Sequence, residues 1–293
     1  MASMKRAAPA AWIASSLVLL SGASQPHVRA QELGSAVLLA TGSQGLTGQR
    51  SRLPKDWQGL RQIDAGTSIL VMPGHADSQG FGGGASGAAV AVQGARPMAA
   101  GMSDELYWNL LTVEAVVRQG LARGLNIRSY DPGIRSIANG NDPRTTWSVG
   151  KAHVQNGGYA MELHYDAHGS AGIGSGLIPP IGTTPSQLDE SLAAEFGAFP
   201  RFFRDGLGAP KRGIAILEIG KLEGRLEASL RNPATRSATI EAIAERVVMA
   251  LERGVSRQRS DQPTMALPPL SPPPDVVGSA PADSGLPASS GAE

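Results

Sequence analysis

Short apolar runs rich in β-branched residues alternate along this chain with stretches whose apolar residues recur every three or four positions. Ser68-Ile69-Leu70-Val71-Met72, Leu125 to Tyr130, Tyr159 to His164 and Gly213 to Leu217 read as buried strands, each bounded by Gly, Pro or Asp. Between the first two, Ser103 can cap a helix in which Leu106, Leu110, Val113, Val117 and Leu121 recur at helical spacing until Gly124. Further helices are predicted from about Thr145 to Gln155 and from Ser186 to Arg204. Asn232-Pro233 opens a last one, with Ile240, Ile243, Ala244, Val247, Val248 and Leu251 as its core stripe and Gly254 as its stop. This alternation predicts an α/β fold: a three-layer sandwich with a mostly parallel central sheet and helices on both faces.

Both ends differ in composition from this middle. Residues 1–30 read as an export signal, with Lys5 and Arg6 ahead of a mostly apolar or small stretch from Ala10 to Ala23 and cleavage expected before Gln31. The alternative is an uncleaved anchor, although the apolar run is short for a bilayer. Either way the folded part is expected outside the cytoplasm, periplasmic or secreted, with no stable transmembrane segment after processing. Residues 31–65 form an N-terminal extension with a short candidate strand at Ala36 to Ala40, residues 66–256 the folded domain, and residues 257–293 a disordered Pro/Ser/Ala-rich tail. Residues 76–101 are rich in Gly, Ala and Ser, and their length suggests a flexible lid or a disordered insert.

The chain has no cysteine, which excludes disulfides, thiolate catalysis and cysteine-bound zinc. A net charge of +1 and 4% aromatic residues give no basis for binding nucleic acid. Gly82-Gly83-Gly84 lacks the Gly-Lys-Ser/Thr that a phosphate cradle needs.

Chemistry is concentrated in Pro73-Gly74-His75, Asp104-Glu105, Glu162-Leu163-His164 and Leu217-Glu218-Ile219-Gly220. His75, His164 and Glu218 fall just past the C-terminal ends of predicted strands, where open α/β sheets build their sites. Two imidazoles and one carboxylate can hold Zn²⁺ with a position left for water, and a second carboxylate can move that water's proton. Taken singly, each residue has a plainer reading: His75 a loop histidine, Glu105 a first-turn acid, His164 a bonded core histidine. Glu218 follows a run of small or apolar residues, where an acid is rarely buried unless paired or functional. His27 lies in the expected signal. His153 falls in a predicted helix, and His168 reads as a loop residue with an alternative role beside the site. Glu162 shares a strand face with His164 and could orient its ring, or pair with a lysine.

The order of these segments resembles the zinc-dependent N-acetylmuramoyl-L-alanine amidases of bacterial cell-wall turnover. Pro73-Gly74-His75 is similar to that family's first ligand segment, and Glu105, followed by Leu106 and Asn109, to its Glu helix. Ala138-Asn139 with Ala160-Met161-Glu162-Leu163-His164 resembles its "Ala-Asn … Ser-Ile-His", and Leu217-Glu218-Ile219-Gly220 its catalytic Glu-x-Gly segment. The resemblance implies His75, Glu105 and His164 as metal ligands, Glu218 as catalytic acid/base, Zn²⁺ as cofactor, and peptidoglycan or a muropeptide as substrate. Lys221 and Arg135 are candidates for holding peptide carboxylates. Other readings are hydrolysis of a different peptide or acyl amide, and an exported binding protein of the same fold without turnover.

Overall fold

The computed structural model describes residues 45–48 and 50–261. The expected export signal, the candidate strand at Ala36 to Ala40 and most of the expected tail lie outside the described residues. In chain order the elements are β1 (Ile69–Pro73), α1 (Ala88–Ala91), α2 (Asp104–Ala122), β2 (Ile127–Ser129), α3 (Thr146–Gln155), β3 (Tyr159–Asp166), β4 (Gly176–Ile178), α4 (Gln187–Phe196), β5 (Ala215–Lys221), α5 (Gly224–Arg231) and α6 (Pro233–Asp261). The strands form one sheet in the order β2-β1-β3-β5-β4, parallel except for β4 at one edge. Among the described residues no helix is long and apolar enough to cross a membrane.

Period-two alternation gives each face of this sheet its own core. Ile69, Val71, Met161, Leu163, Ala215 and Leu217 face one way, against Trp108, Leu192, Phe196, Val247 and Val248 of α2, α4 and α6. Leu70, Met72, Ala160 and Ile216 face the other way, where Trp147, Val149 and Val154 of α3 cover part of the sheet. Helices therefore lie on both faces, as the alternation predicts. The second face is covered by one helix and loops, and toward the C-terminal strand ends it opens into a cleft.

The helix starts follow local chemistry. Ser103 Oγ accepts from Leu106 N (3.2 Å) and Thr145 Oγ1 from Ser148 N (3.1 Å), each satisfying an amide that the first turn leaves free. Ser186 and Asp189 form a reciprocal capping box at α4. Asn232 Oδ1 accepts from Ala234 N (3.0 Å) beside Pro233, the first residue of α6.

Several expected boundaries are corrected. The helix expected to reach Arg204 stops at Phe196, because Gly197 takes φ 106° and Pro200 follows. Gly254 does not stop α6, which runs on to Asp261. A Cβ at Gly254 would overlap Leu188, so this glycine lets α6 approach α4 closely. The buried face of α2 is rotated from the expected stripe: Trp108, Thr112 and Val116 are buried while Leu121 is 57% exposed. Thr112 is tolerated there because its Oγ1 pairs with Tyr165 OH at 2.8 Å. Strand β4 lies between the strand expected to end at His164 and the helix expected from Ser186, where the sequence analysis places no element.

The described part of residues 45–65 is built into this unit. Leu46, Trp57 and Ile63 are buried, and Trp57 Nε1 donates to Phe199 O at 2.8 Å. Arg61 N donates to Pro185 O (3.0 Å) and Gln187 N to Arg61 O (3.0 Å), strapping the segment across the start of α4. Trp57→Ala is expected to cost about 3–5 kcal/mol, the usual range for emptying a buried aromatic site. Urea denaturation measures it; a midpoint unchanged from wild type contradicts this placement.

Candidate metal centre

Each functional side chain is fixed by a different element. His75 sits in the turn leaving β1, with φ 61°. That turn is tied on two sides: Asn109 Nδ2 of α2 donates to Gly74 O (3.0 Å), and Gln79 Nε2 donates to His75 O (3.0 Å). Gly74 is required by its neighbour, since a Cβ there would overlap the imidazole of His164. Glu105 lies in the first turn of α2 and is buried. His164 lies in β3 on the cleft face, 7% exposed. Glu218 is its registered partner across β3 and β5. His164 and Glu218 are thus within strands rather than beyond their ends, because β3 and β5 run further than the sequence suggests.

The ligand atoms of His75, Glu105 and His164 all lie within 4.8 Å of one another. Glu105 Oε1 is 3.1 Å from His164 Nδ1 and 3.4 Å from His75 Nε2, and the two rings meet edge to face at 4.7 Å. The second oxygen, Oε2, accepts from Ala85 N at 2.6 Å, while Glu105 N donates to Ala85 O at 3.2 Å. Ala85 belongs to the glycine-rich stretch, whose role is therefore to hold the acid. That stretch is fastened along its length: Asp104 Oδ1 accepts from Met98 N (2.7 Å), Glu227 from Ala89 N (3.0 Å), and Ser86 O from His168 Nδ1 (3.1 Å). It is neither a disordered insert nor free of the site. His168 serves this loop, and His153 Nε2 contacts Ser68 O (2.8 Å) away from the cleft.

Around the cluster the carboxylates are in excess. His164 Nε2 lies 3.4 Å from Glu162 Oε2, so both ring nitrogens face acids. Among the described residues, Glu162 Oε1 and Glu218 Oε2 are buried with no hydrogen-bond partner. Burial alone would raise the Glu105 carboxyl, but the charge of His75 and hydrogen bonds from both imidazoles hold it at about 2. Burial likewise disfavours a charged His164, yet its hydrogen bonds to Glu105 and Glu162 and the nearby Glu218 charge push it well above the usual imidazole range. Glu218 is pushed up to about 8, first by burial; His164 and Arg204 pull it down while Glu105 and Asp166 push it up.

Two imidazoles and an acid pointing at one spot, with orphaned carboxylate oxygens beside it, suit a divalent transition ion. The set is all nitrogen and oxygen, with no thiolate. His75, His164, Glu162 and Glu218 line a cleft of about 550 Å³ together with Asp77, Phe81, Trp147, Arg204 and Ile216. Asp77 Oδ2 accepts from Thr146 N at 2.7 Å, fixing the start of α3 beneath the cleft. Sequence reasoning missed Arg204, because Phe202-Phe203-Arg204-Asp205-Gly206 carries no motif and falls in a stretch read as helix. Arg135 and Lys221 do not line the cleft. Arg135 is bound bidentately by Asp131 (2.6 and 2.9 Å), and Lys221 pairs with Glu223 (2.8 Å).

No family profile matches this chain, and no curated protein does. Among solved structures it is similar to the catalytic domain of the CD27L endolysin targeting Clostridia difficile, at 16% identity and a TM-score of 0.43, over 64% of this chain and 97% of that one. It is also similar to the catalytic domain of CwlV, an N-acetylmuramoyl-L-alanine amidase from Bacillus (Paenibacillus) polymyxa var. colistinus, at 14% identity and a TM-score of 0.41, over 67% and 100%. A third is the CwlD amidase from Clostridioides difficile, in complex with the GerS lipoprotein, at 15% identity and a TM-score of 0.42, over 65% and 100%. Likenesses of this size carry no functional assignment by themselves.

The metal-free protein should report the burial of Glu218 through its stability. The folded carboxyl titrates near 8 against an ordinary 4.5, so between these values the folded state holds the extra proton. Its stabilising contribution is complete below about pH 4 and is lost as pH rises toward 8. Thermal melts of chelator-treated protein should fall from pH 5 to pH 8, and less steeply in Glu218→Gln. Equal slopes for both proteins would show that Glu218 is solvated. Gly74→Ala should displace His164 and weaken zinc binding by about 10-fold or more, the range typical of disturbing a ligand's support; calorimetric affinity equal to wild type contradicts the contact.

Proposed function

We propose that this chain is a zinc-dependent N-acetylmuramoyl-L-alanine amidase, hydrolysing the amide between the lactyl group of muramic acid and the L-alanine of the stem peptide. One observation carries the metal-hydrolase part: three ligand-type side chains from three separate elements converge within 4.8 Å, beside a half-buried acid on the neighbouring strand. The substrate part rests on the ordered motif resemblance from Pro73-Gly74-His75 to Leu217-Glu218-Ile219-Gly220. The proposed unit is an exported domain at residues 66–256, strapped by the preceding segment and acting in the periplasm or outside the cell.

In this reading His75, Glu105 and His164 hold the ion. When bound, zinc supplies a Lewis acid that polarises the amide carbonyl, brings water's pKa toward about 7 and draws Glu218 toward its ionised form. Glu218 takes a proton from the attacking water and delivers it to the leaving amine. A carboxyl whose affinity for protons is raised by burial suits both halves of that transfer near neutral pH. Glu162 faces His164 Nε2 and fixes the ring so that Nδ1 is presented beside Glu105. The wall around Trp147 and Ile216 limits water at the reacting amide.

Glu218→Gln should keep one zinc per chain and lower turnover of purified peptidoglycan by about 10²–10⁴-fold, the usual worth of a positioned acid/base. Mass spectrometry of the digest should show stem peptides with a free L-alanine amine. Hydrolysis by the variant at the wild-type rate refutes the role of Glu218, and products cut at any other bond refute the substrate.

A further inference from the structure

The cleft carries several groups that are acidic or imidazole and one permanent cation. Of the described residues lining it, only Arg204 is a lysine or arginine. Among the described residues its guanidinium makes no ion pair; Nη2 donates one hydrogen bond, to Ala171 O at 3.2 Å. The other donors are left for something that enters the cleft. An exposed arginine beside buried acids would ordinarily turn to one of them or to solvent, and the backbone prevents free choice. Arg204 and Asp205 both take left-handed conformations, φ 49° and 60°, which are unfavourable for residues with a Cβ. Phe203, packed on Phe199 at 4.7 Å, anchors this turn from below, and the guanidinium lies 5.0 Å from the Phe203 ring. Strain of this kind persists where the surroundings over-determine it, and it collects at ligand-binding positions.

We infer that Arg204 is a substrate-binding residue that takes a carboxylate of the peptide on the amine side of the scissile bond. The inference rests on the amidase reading above. In that substrate the lactyl carboxyl is consumed in the amide itself, so every free carboxylate belongs to the peptide that leaves as the amine. A guanidinium recognises a carboxylate bidentately and with a fixed direction. Arg204 lines the same cleft as Glu218, the group that must protonate the same amine. Arg204 therefore sets which way round the amide lies: peptide toward Arg204, sugar away from it. It fills the role that the sequence suggested for Arg135 or Lys221.

The test compares N-acetylmuramoyl-L-alanyl-D-glutamate with its analogue in which both side-chain and terminal carboxyls are carboxamides, using the zinc-loaded full chain. Wild type should favour the acid by about tenfold in kcat/KM, mainly through KM, as one partly exposed charge-assisted contact allows. Arg204→Gln should bring the ratio close to one. Arg204→Lys, which keeps the charge without the fork, should lie between, and it carries the test should Arg204→Gln fail to fold. A wild type without preference overturns the inference, and so does a variant that keeps the wild-type ratio or loses both substrates equally. Turnover of neither substrate by wild type defeats the amidase reading itself and this assignment with it, a result distinct from turnover without discrimination.

Discussion

A single buried carboxylate oxygen, Glu105 Oε1, faces two imidazole rings, one buried and one half-buried. Such an arrangement survives folding only where each group is held from outside, because an acid buried beside unpaired rings is costly. The surrounding architecture answers that need. Helix α2 supplies Glu105 and, one turn on, Asn109, which fastens the turn carrying His75. The glycine-rich stretch supplies the amide that fixes the other oxygen of Glu105. Strand β3 supplies His164 and Glu162 from one face, and β5 places Glu218 in register beside them. Removing Glu105 leaves both imidazoles without the acid they share.

Much of this was legible in the sequence, and the reasons are specific. The runs at β1, β3 and β5 are apolar on both faces, as central parallel strands must be, so they stand out from their surroundings. The four chemical segments were found because each departs from that apolar background at a strand end or helix start. What was obscured lies where tertiary contacts outweigh local pattern. Thr112 and Asn109 look like surface residues of α2 and are buried because each has a dedicated partner. Gly254 looks like a helix stop and is a point of close helix packing. Trp57 is far in sequence from anything it touches. Arg204 lies in a turn whose shape follows from Phe203 packing and not from any propensity of Arg-Asp.

The excess of acid explains how the cleft can serve a cation and still discriminate among substrates. Glu105, Glu162 and Glu218 outnumber the two imidazoles, and two of their oxygens have no donor among the described residues. A doubly charged ion relieves that imbalance more fully than protons can. In the proposed function, an ion that relieved it would leave the arginine lining the cleft as the feature that gives it polarity. Under that proposal, metal binding, proton transfer and orientation of the amide would be parts of one charge balance.

The most direct measurement is X-ray absorption at the zinc edge of protein loaded with one equivalent of zinc. The account predicts outer-shell scattering from two imidazole rings together with oxygen ligands. A spectrum showing oxygen ligands alone, or one ring, contradicts the convergence of His75 and His164 on a common ion.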